Sequence, residues 1–290
     1  MNSSLLSYNE ELMTIMNNQK DISRRIESIW ESTMEGIPHY SYLIDFQDAH
    51  IEKDTHLVYS GASMIKPFIL DIITHKIYQG ELKWTTPVVV DNKHKAQGDG
   101  VLQYWDMPIT LNIRQTCHLM ITLSDNTATN ALIDFLGGTF SVNVALYELG
   151  YTQSHLRAWI GGHDPDPNIH RYIPSFELTT QEGISVVHIK EYRKCIRQLV
   201  KHPICKDMLV QQQDKRSLAR HTGEYTFAHK TGTADGLRHD GGIIYLPNKK
   251  IEVYCFTDGI PRDEYIDDIA CVKMGQAMYD TIHVLTQNDI

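Results

Sequence analysis

A hydroxyl and an amine three positions apart, in Ser63-Met64-Ile65-Lys66, are the first residues of this chain whose types and spacing suggest chemistry. They follow a strand-like run, His56-Leu57-Val58-Tyr59, and lead into a helix-like one, Pro67 to Ile73. Residues three apart on a helix share a face, so the Lys66 amine reaches the Ser63 hydroxyl. Pro67 fits because it falls in the first helical turn, where its missing N–H costs nothing. The Ser63 N–H lies at the positive end of that helix, where a developing oxyanion is favoured. A lysine kept partly neutral by burial and by positive neighbours can accept the serine proton and make the serine a nucleophile. The stretch alone is a weak signal, since this pairing recurs about once in a chain of ordinary composition and this size.

Two further triplets strengthen it. Ser124-Asp125-Asn126 begins 61 residues after Ser63, and Lys230-Thr231-Gly232 begins 106 residues after Ser124. Chance supplies both in that order in fewer than roughly one chain in a hundred. The flanks are Tyr59-Ser60-Gly61-Ala62 before the first motif, Leu119 to Leu123 before the second, and His229 before the third. The three-part set resembles the penicillin-recognising serine hydrolases, the class A β-lactamases and penicillin-binding proteins. The likeness is closest to class A and runs from about residue 39 to the C-terminus.

The resemblance implies a role for each residue. Ser63 is the nucleophile and Lys66 its base or proton relay. Ser124 passes the proton to the leaving nitrogen, and Lys230 holds Ser124 and the substrate electrostatically. The Asn126 amide fixes a side-chain carbonyl of the substrate. Residues 231 and 233 face the same way on a strand, so the Thr231 hydroxyl can bind a carboxylate while the Thr233 N–H joins that of Ser63 as oxyanion hole. Gly232, without a side chain, lets an amide substrate lie against the strand like an added edge.

Hydrolysis of an acyl-enzyme needs a further base. Class A enzymes carry Glu-Pro-Glu-Leu-Asn between the second and third motifs, where this chain has Asp164-Pro165-Asp166-Pro167-Asn168. Asp164 then stands for the base and Asn168 for its partner on the attacking water, with Glu177 the candidate for the loop's acidic contact. Aspartate is one methylene shorter, and a proton-transfer group displaced by about 1 Å can lose on the order of a hundredfold in rate. Acylation is better supported than deacylation. His163, Asp164, Asp166 and His170 match no metal-ligand spacing, and loops rich in Asp and Pro form turns, so neither metal nor other cofactor is expected. Arg238 either pairs with a substrate carboxylate or bridges Asp235 or Asp240 at a strand end. Trp105 either walls the cleft or packs locally.

The elements that must position these residues are legible in outline. Leu12, Ile15, Met16, Ile22, Ile26, Ile29 and Trp30 recur at helical spacing, in one helix or two, ended by Gly36-Ile37-Pro38. His39–Phe46 alternates as a strand, and Thr55 to Tyr59 is expected to return as its hairpin partner. Helices are expected from Ser63 to Tyr78, Thr110 to Leu123, Asn126 to Phe135, Val142 to Leu149, Thr179 to Lys201 and Pro203 to Arg220, with residues 84–108 a loop. Strands follow over Tyr225 to Thr233, Asp240 to Leu246 and Ile251 to Asp258, then a last helix after Pro261. This is an α/β (α+β) chain: a five-stranded antiparallel sheet covered by terminal helices (about 1–59 and 211–290) and an all-helical lobe (about 60–210), with the site between them.

Composition bounds the rest. A chain of 290 residues, 42% hydrophobic, can bury a large core. A net charge of −9 without a basic run argues against a nucleic-acid surface, and no apolar stretch is long enough to span a membrane. Five scattered cysteines without a Cys-x-x-Cys spacing read as buried, reduced thiols, and residues 1–20 lack the apolar core of a secretory signal. The expectation is a monomeric, cytoplasmic serine hydrolase (periplasmic or secreted if processed) acting on a β-lactam or related small amide or ester. The same machinery also suits an intracellular amidase, peptidase or esterase, or a covalent receptor that stays acylated.

Overall fold

The computed structural model describes residues 19–161, 183–223, 225–261 and 264–287. A helix, α1, over residues 19–33 is followed by β1 (His39–Phe46), β2 (Ala49–Lys53) and β3 (Val58–Ser60). A 3-10 turn (Ala62–Ile65) then opens α2 (Lys66–Tyr78). The middle of the chain holds β4 (Pro87–Val90), β5 (Ile109–Asn112), α3 (Ile113–Thr122), α4 (Asn126–Phe135), α5 (Gly138–Glu148) and β6 (His155–Leu156). After it come β7 (Ser185–His188), α6 (Ile189–Leu199), α7 (Pro203–Val210), β8 (Thr226–Ala234), β9 (Leu237–Tyr245), β10 (Lys250–Asp258) and α8 (Glu264–Gln287).

Five strands form one antiparallel sheet in the order β2-β1-β10-β9-β8, joining the two ends of the chain. Alternation along β10 explains the layers. Val253 and Cys255 face a cluster with Ile26, Trp30, Met274 and Met278 of α1 and α8, whereas Tyr254 and Phe256 face Phe68, Tyr192 and Ile196 of α2 and α6. Because the sheet is covered on both faces, nearly every residue of β10 is buried. Trp30 is fully buried and its indole N–H donates to Thr281 Oγ1 at 2.9 Å, which ties α1 to α8. Burying one such side chain contributes roughly 1.5–3 kcal/mol. All five cysteines are free and buried, as the sequence suggested. Among the described residues, no helix is long and apolar enough to cross a membrane.

Several boundaries differ from the expectations. The chain turns at Gln47 (φ 49°) and returns at once, so the partner of β1 is β2, with Ile44 opposite Ile51, rather than residues 55–59. Val58–Ser60 instead joins a small sheet in the order β3-β7-β6, with Tyr59 opposite Val187. Within the stretch expected as loop, β4 pairs with β5; Val88 and Val90 point inward while Val89 is exposed, the period-two pattern of a half-buried strand. That pairing delays α3 to Ile113, where Asn112 and Gln115 form a reciprocal capping box. Residues 185–188 are strand where helix was expected, and the expected cap at 179–182 lies outside the described residues. Helix α7 stops at Val210; a 3-10 turn at Leu218–His221 replaces the rest of the expected helix.

Candidate active site

The turn that carries Ser63 hangs from three neighbours. Gly61 N–H donates to Ser185 O at 2.9 Å and Ser185 Oγ to Ala62 O at 3.2 Å, which fastens the turn to β7. His239 Nε2, on β9, is 2.8 Å from Ser60 O, while its Nδ1 accepts from Thr257 N–H at 3.1 Å. Only the tautomer protonated at Nε2 satisfies both bonds, and burial holds this imidazole neutral by lowering its pKa to about 4. The third neighbour is β8. A Cβ placed on Gly232 would lie 2.7 Å from Met64 Cγ and 3.3 Å from Gly61 O. The missing side chain therefore serves the close approach of the Ser63 turn to the strand.

Ser63 sits in that turn, one residue after Ala62, whose φ of 42° lies in the left-handed region. Ser124 is held likewise, at φ 56°. Non-glycine residues there cost of order 1 kcal/mol or more and persist where surrounding structure imposes them. The imposed geometry brings three motifs to one hydroxyl. Ser124 Oγ donates to Ser63 Oγ at 2.9 Å and accepts from Lys66 Nζ at 3.0 Å and Lys230 Nζ at 3.1 Å. Lys66 also donates to Ser124 O at 2.5 Å and Asn126 Oδ1 at 2.8 Å. The link from Lys66 to Ser63 thus runs through Ser124, where helical spacing had suggested direct reach.

Both lysines are fully buried. Burial, and next the Lys230 charge, hold Lys66 well below its ordinary pKa, against the opposing pull of Asp99 and Asp125. Burial lowers Lys230 to about 8, opposed by Asp99, Asp214 and Asp240. Lys230 also donates to Thr231 O at 2.8 Å.

Asp125, the middle residue of its triplet, has no role in the sequence reading yet holds the wall together. It is fully buried; Oδ1 accepts from Ala128 N–H at 2.8 Å and caps α4, and Oδ2 accepts from Val101 N–H at 2.7 Å and Leu102 N–H at 2.9 Å. Asn126 donates its side-chain amide to Gln97 O at 2.9 Å. A cavity of about 320 Å³ is bordered by Ser124, Thr231, Thr233, Asp99 and residues 212–216. Thr231 and Thr233 share it, as their alternation requires. Asp214 and Arg216 were also missed by sequence reasoning; their bidentate pair, both contacts 2.9 Å, depends on a loop fold that nothing local signals.

The remaining expectations divide. Arg238 donates to Ala234 O at 2.9 Å and Leu237 O at 2.7 Å, while Asp240 holds His229 Nδ1 at 2.8 Å and Leu218 N–H at 3.0 Å. Trp105 is half exposed. Asp164 and Asn168, with His163, Asp166, His170 and Glu177, lie outside the described residues. Asn130 binds both the N–H and the carbonyl of Ile160, at 2.8 and 3.0 Å, just upstream of them.

A serine joined through a second hydroxyl to two buried lysines, in a cleft beside a strand edge, defines the class: a serine hydrolase. The sequence profile of the beta-lactamase enzyme family matches residues 21–282, and the chain belongs to that family. Solved structures share the fold. A beta-lactamase from Sphaerobacter thermophilus is 24% identical, with a TM-score of 0.71 and coverage of 87% of this chain and 94% of that one. A beta lactamase from Xanthomonas campestris pv. campestris is 14% identical, with a TM-score of 0.74 and coverage of 90% and 98%. PBP-A is 19% identical, with a TM-score of 0.71 and coverage of 90% and 96%. No curated protein sequence matches the chain significantly.

Proposed function

We propose that this protein opens β-lactam amides through an acyl-Ser63 intermediate, in a cleft between a sheet lobe (about 1–59 and 211–290) and a helical lobe (about 60–210). The observation that carries the reading is the Ser124 hydroxyl, within hydrogen-bond distance of Ser63 and both lysines. Of the three oxygens around Lys66 Nζ, two are carbonyls, and only Ser124 Oγ carries a proton. A neutral Lys66 therefore directs its lone pair at that hydroxyl. When both hydroxyls rotate, the Ser63 proton moves to Ser124 Oγ as the Ser124 proton moves to Lys66. Ser63 Oγ attacks the lactam carbonyl, and Ser124 returns a proton to the nitrogen as the C–N bond breaks.

The other roles follow the geometry. β8 is an edge strand, so half of its backbone groups face away from β9, and a substrate amide can lie along it. The Thr233 N–H and the Ser63 N–H receive the oxyanion. Thr231, above the Lys230 ammonium, takes the substrate carboxylate, and the second N–H of the Asn126 amide meets the acyl carbonyl. Asp164 and Asn168 hold the hydrolytic water, with Asp164 short enough that deacylation is the slower half. The substrate is a small molecule, the protein acts as a monomer, and neither nucleic acid nor membrane takes part. Brief exposure to benzylpenicillin followed by mass spectrometry tests the reading: one covalent adduct is expected, absent from Ser63→Ala. No adduct with any penicillin or cephalosporin refutes it.

A further inference from the structure

The lip of the cleft carries a charge that this chemistry leaves unused. Gly98 and Gly100 adopt φ of 101° and 102°, and a Cβ on them would lie 2.9 Å from Asn126 Nδ2 and 2.3 Å from Asp125 Cγ. Both positions need glycine so that the loop can press on the Ser124-Asp125-Asn126 turn. Gln103 clasps the loop by donating to Gly98 O at 2.6 Å and Gly100 O at 3.2 Å, and Asp99 O accepts from Asn126 N–H at 3.1 Å. Asp99 is thus the one side chain this three-residue lip displays. It is exposed and borders the cavity shared by Ser124, Thr231 and Thr233. Arg216 borders the same cavity and feels the Asp99 charge, but its guanidinium is engaged by Asp214, beside the exposed Lys215. Asp99 is within electrostatic reach of the cleft floor, where it favours the charged forms of both Lys66 and Lys230.

We propose that Asp99 selects substrates by the charge of their leaving portion, favouring a cationic substituent there over a neutral or anionic one. The inference rests on the reading above. If Ser124 serves the leaving nitrogen and Thr231 the carboxylate, the cavity they share with Asp99 receives the leaving half of the molecule. The substrate carboxylate meets Lys230 and Thr231 on the floor. A second charge carried further out meets the lip, where a carboxylate attracts an ammonium or pyridinium and repels another carboxylate.

Cephalothin and cephaloridine test this, because they share an acyl side chain and differ at one substituent, acetoxymethyl against pyridiniummethyl. The readout is the ratio of their acylation rates, cationic over neutral, compared between variants so that intrinsic reactivities cancel. The ratio should fall about three- to tenfold in Asp99→Asn, as expected for one screened charge pair at a cleft mouth. It should be retained in Asp99→Glu and should shrink for the unmodified protein in about 0.5 M salt. An unchanged ratio in Asp99→Asn overturns the proposal. If neither compound acylates Ser63, the β-lactam reading itself fails and this inference is overturned with it, an outcome distinct from acylation with an unchanged ratio.

Discussion

Replacing Asp125 by alanine should damage stability and chemistry together. Its carboxylate is fully buried and takes three backbone donors, Ala128, Val101 and Leu102, at 2.7–2.9 Å. A hydrogen bond to a charged group contributes about 1.5–3 kcal/mol, and an unsatisfied buried donor costs about 1–3 kcal/mol. Val101 lies at the surface, so water can recover its N–H, but Leu102 and Ala128 are buried. Two buried donors at about 1.5–2 kcal/mol each, plus a small term for Val101, give a loss of about 3–5 kcal/mol. That is a large share of the roughly 5–15 kcal/mol a domain has. Urea denaturation measures it, with Asp125→Asn expected to fall between, since an amide oxygen can keep one donor. Folded Asp125→Ala should also acylate more slowly, because Ser124 and Asn126 lose the anchor between them. A loss below about 1 kcal/mol, with acylation unchanged, refutes the assignment.

Four further outcomes are expected. The proposed mechanism needs Lys66 neutral and Lys230 charged, so the pH profile of acylation should fall with a midpoint near 8 as Lys230 deprotonates, and Lys230→Arg should carry the plateau to higher pH. Because Lys230 drops from 10.5 to about 8 on folding, the unfolded chain binds more protons in that window; this group should make stability rise with pH across it, by calorimetry. Gly232→Ala should cost about 1–3 kcal/mol by overpacking against Met64, and a cycle with Met64→Ala should show coupling; additive losses would mean the contact is not the cause. Asp164→Asn should leave acylation nearly intact and let the adduct persist in stopped-flow and mass spectrometry, whereas unaltered deacylation would move the base to another residue, Lys66 first.

What the sequence determined was local or repeated often enough to be seen. The three motifs are recognisable by residue type alone, and their side chains meet at Ser124 Oγ; the limits of α4 match because Asp125 caps it and the glycine pair at 137–138 ends it. The period-two runs of the C-terminal strands fix which side chains face α8 and which face α6, since a strand can only alternate. Only the tertiary structure decided the partners of short segments. Val58–Ser60 is three residues, buried throughout, and finds Val186–His188 more than 120 positions away, so neither length nor alternation marks it. The same holds for single side chains. His239, Asp125 and Asp99 look like loop and strand polar residues until distant backbone closes around them. Hydrogen bonds and charges act over a few ångströms in space, and sequence separation carries no trace of which atoms will meet there.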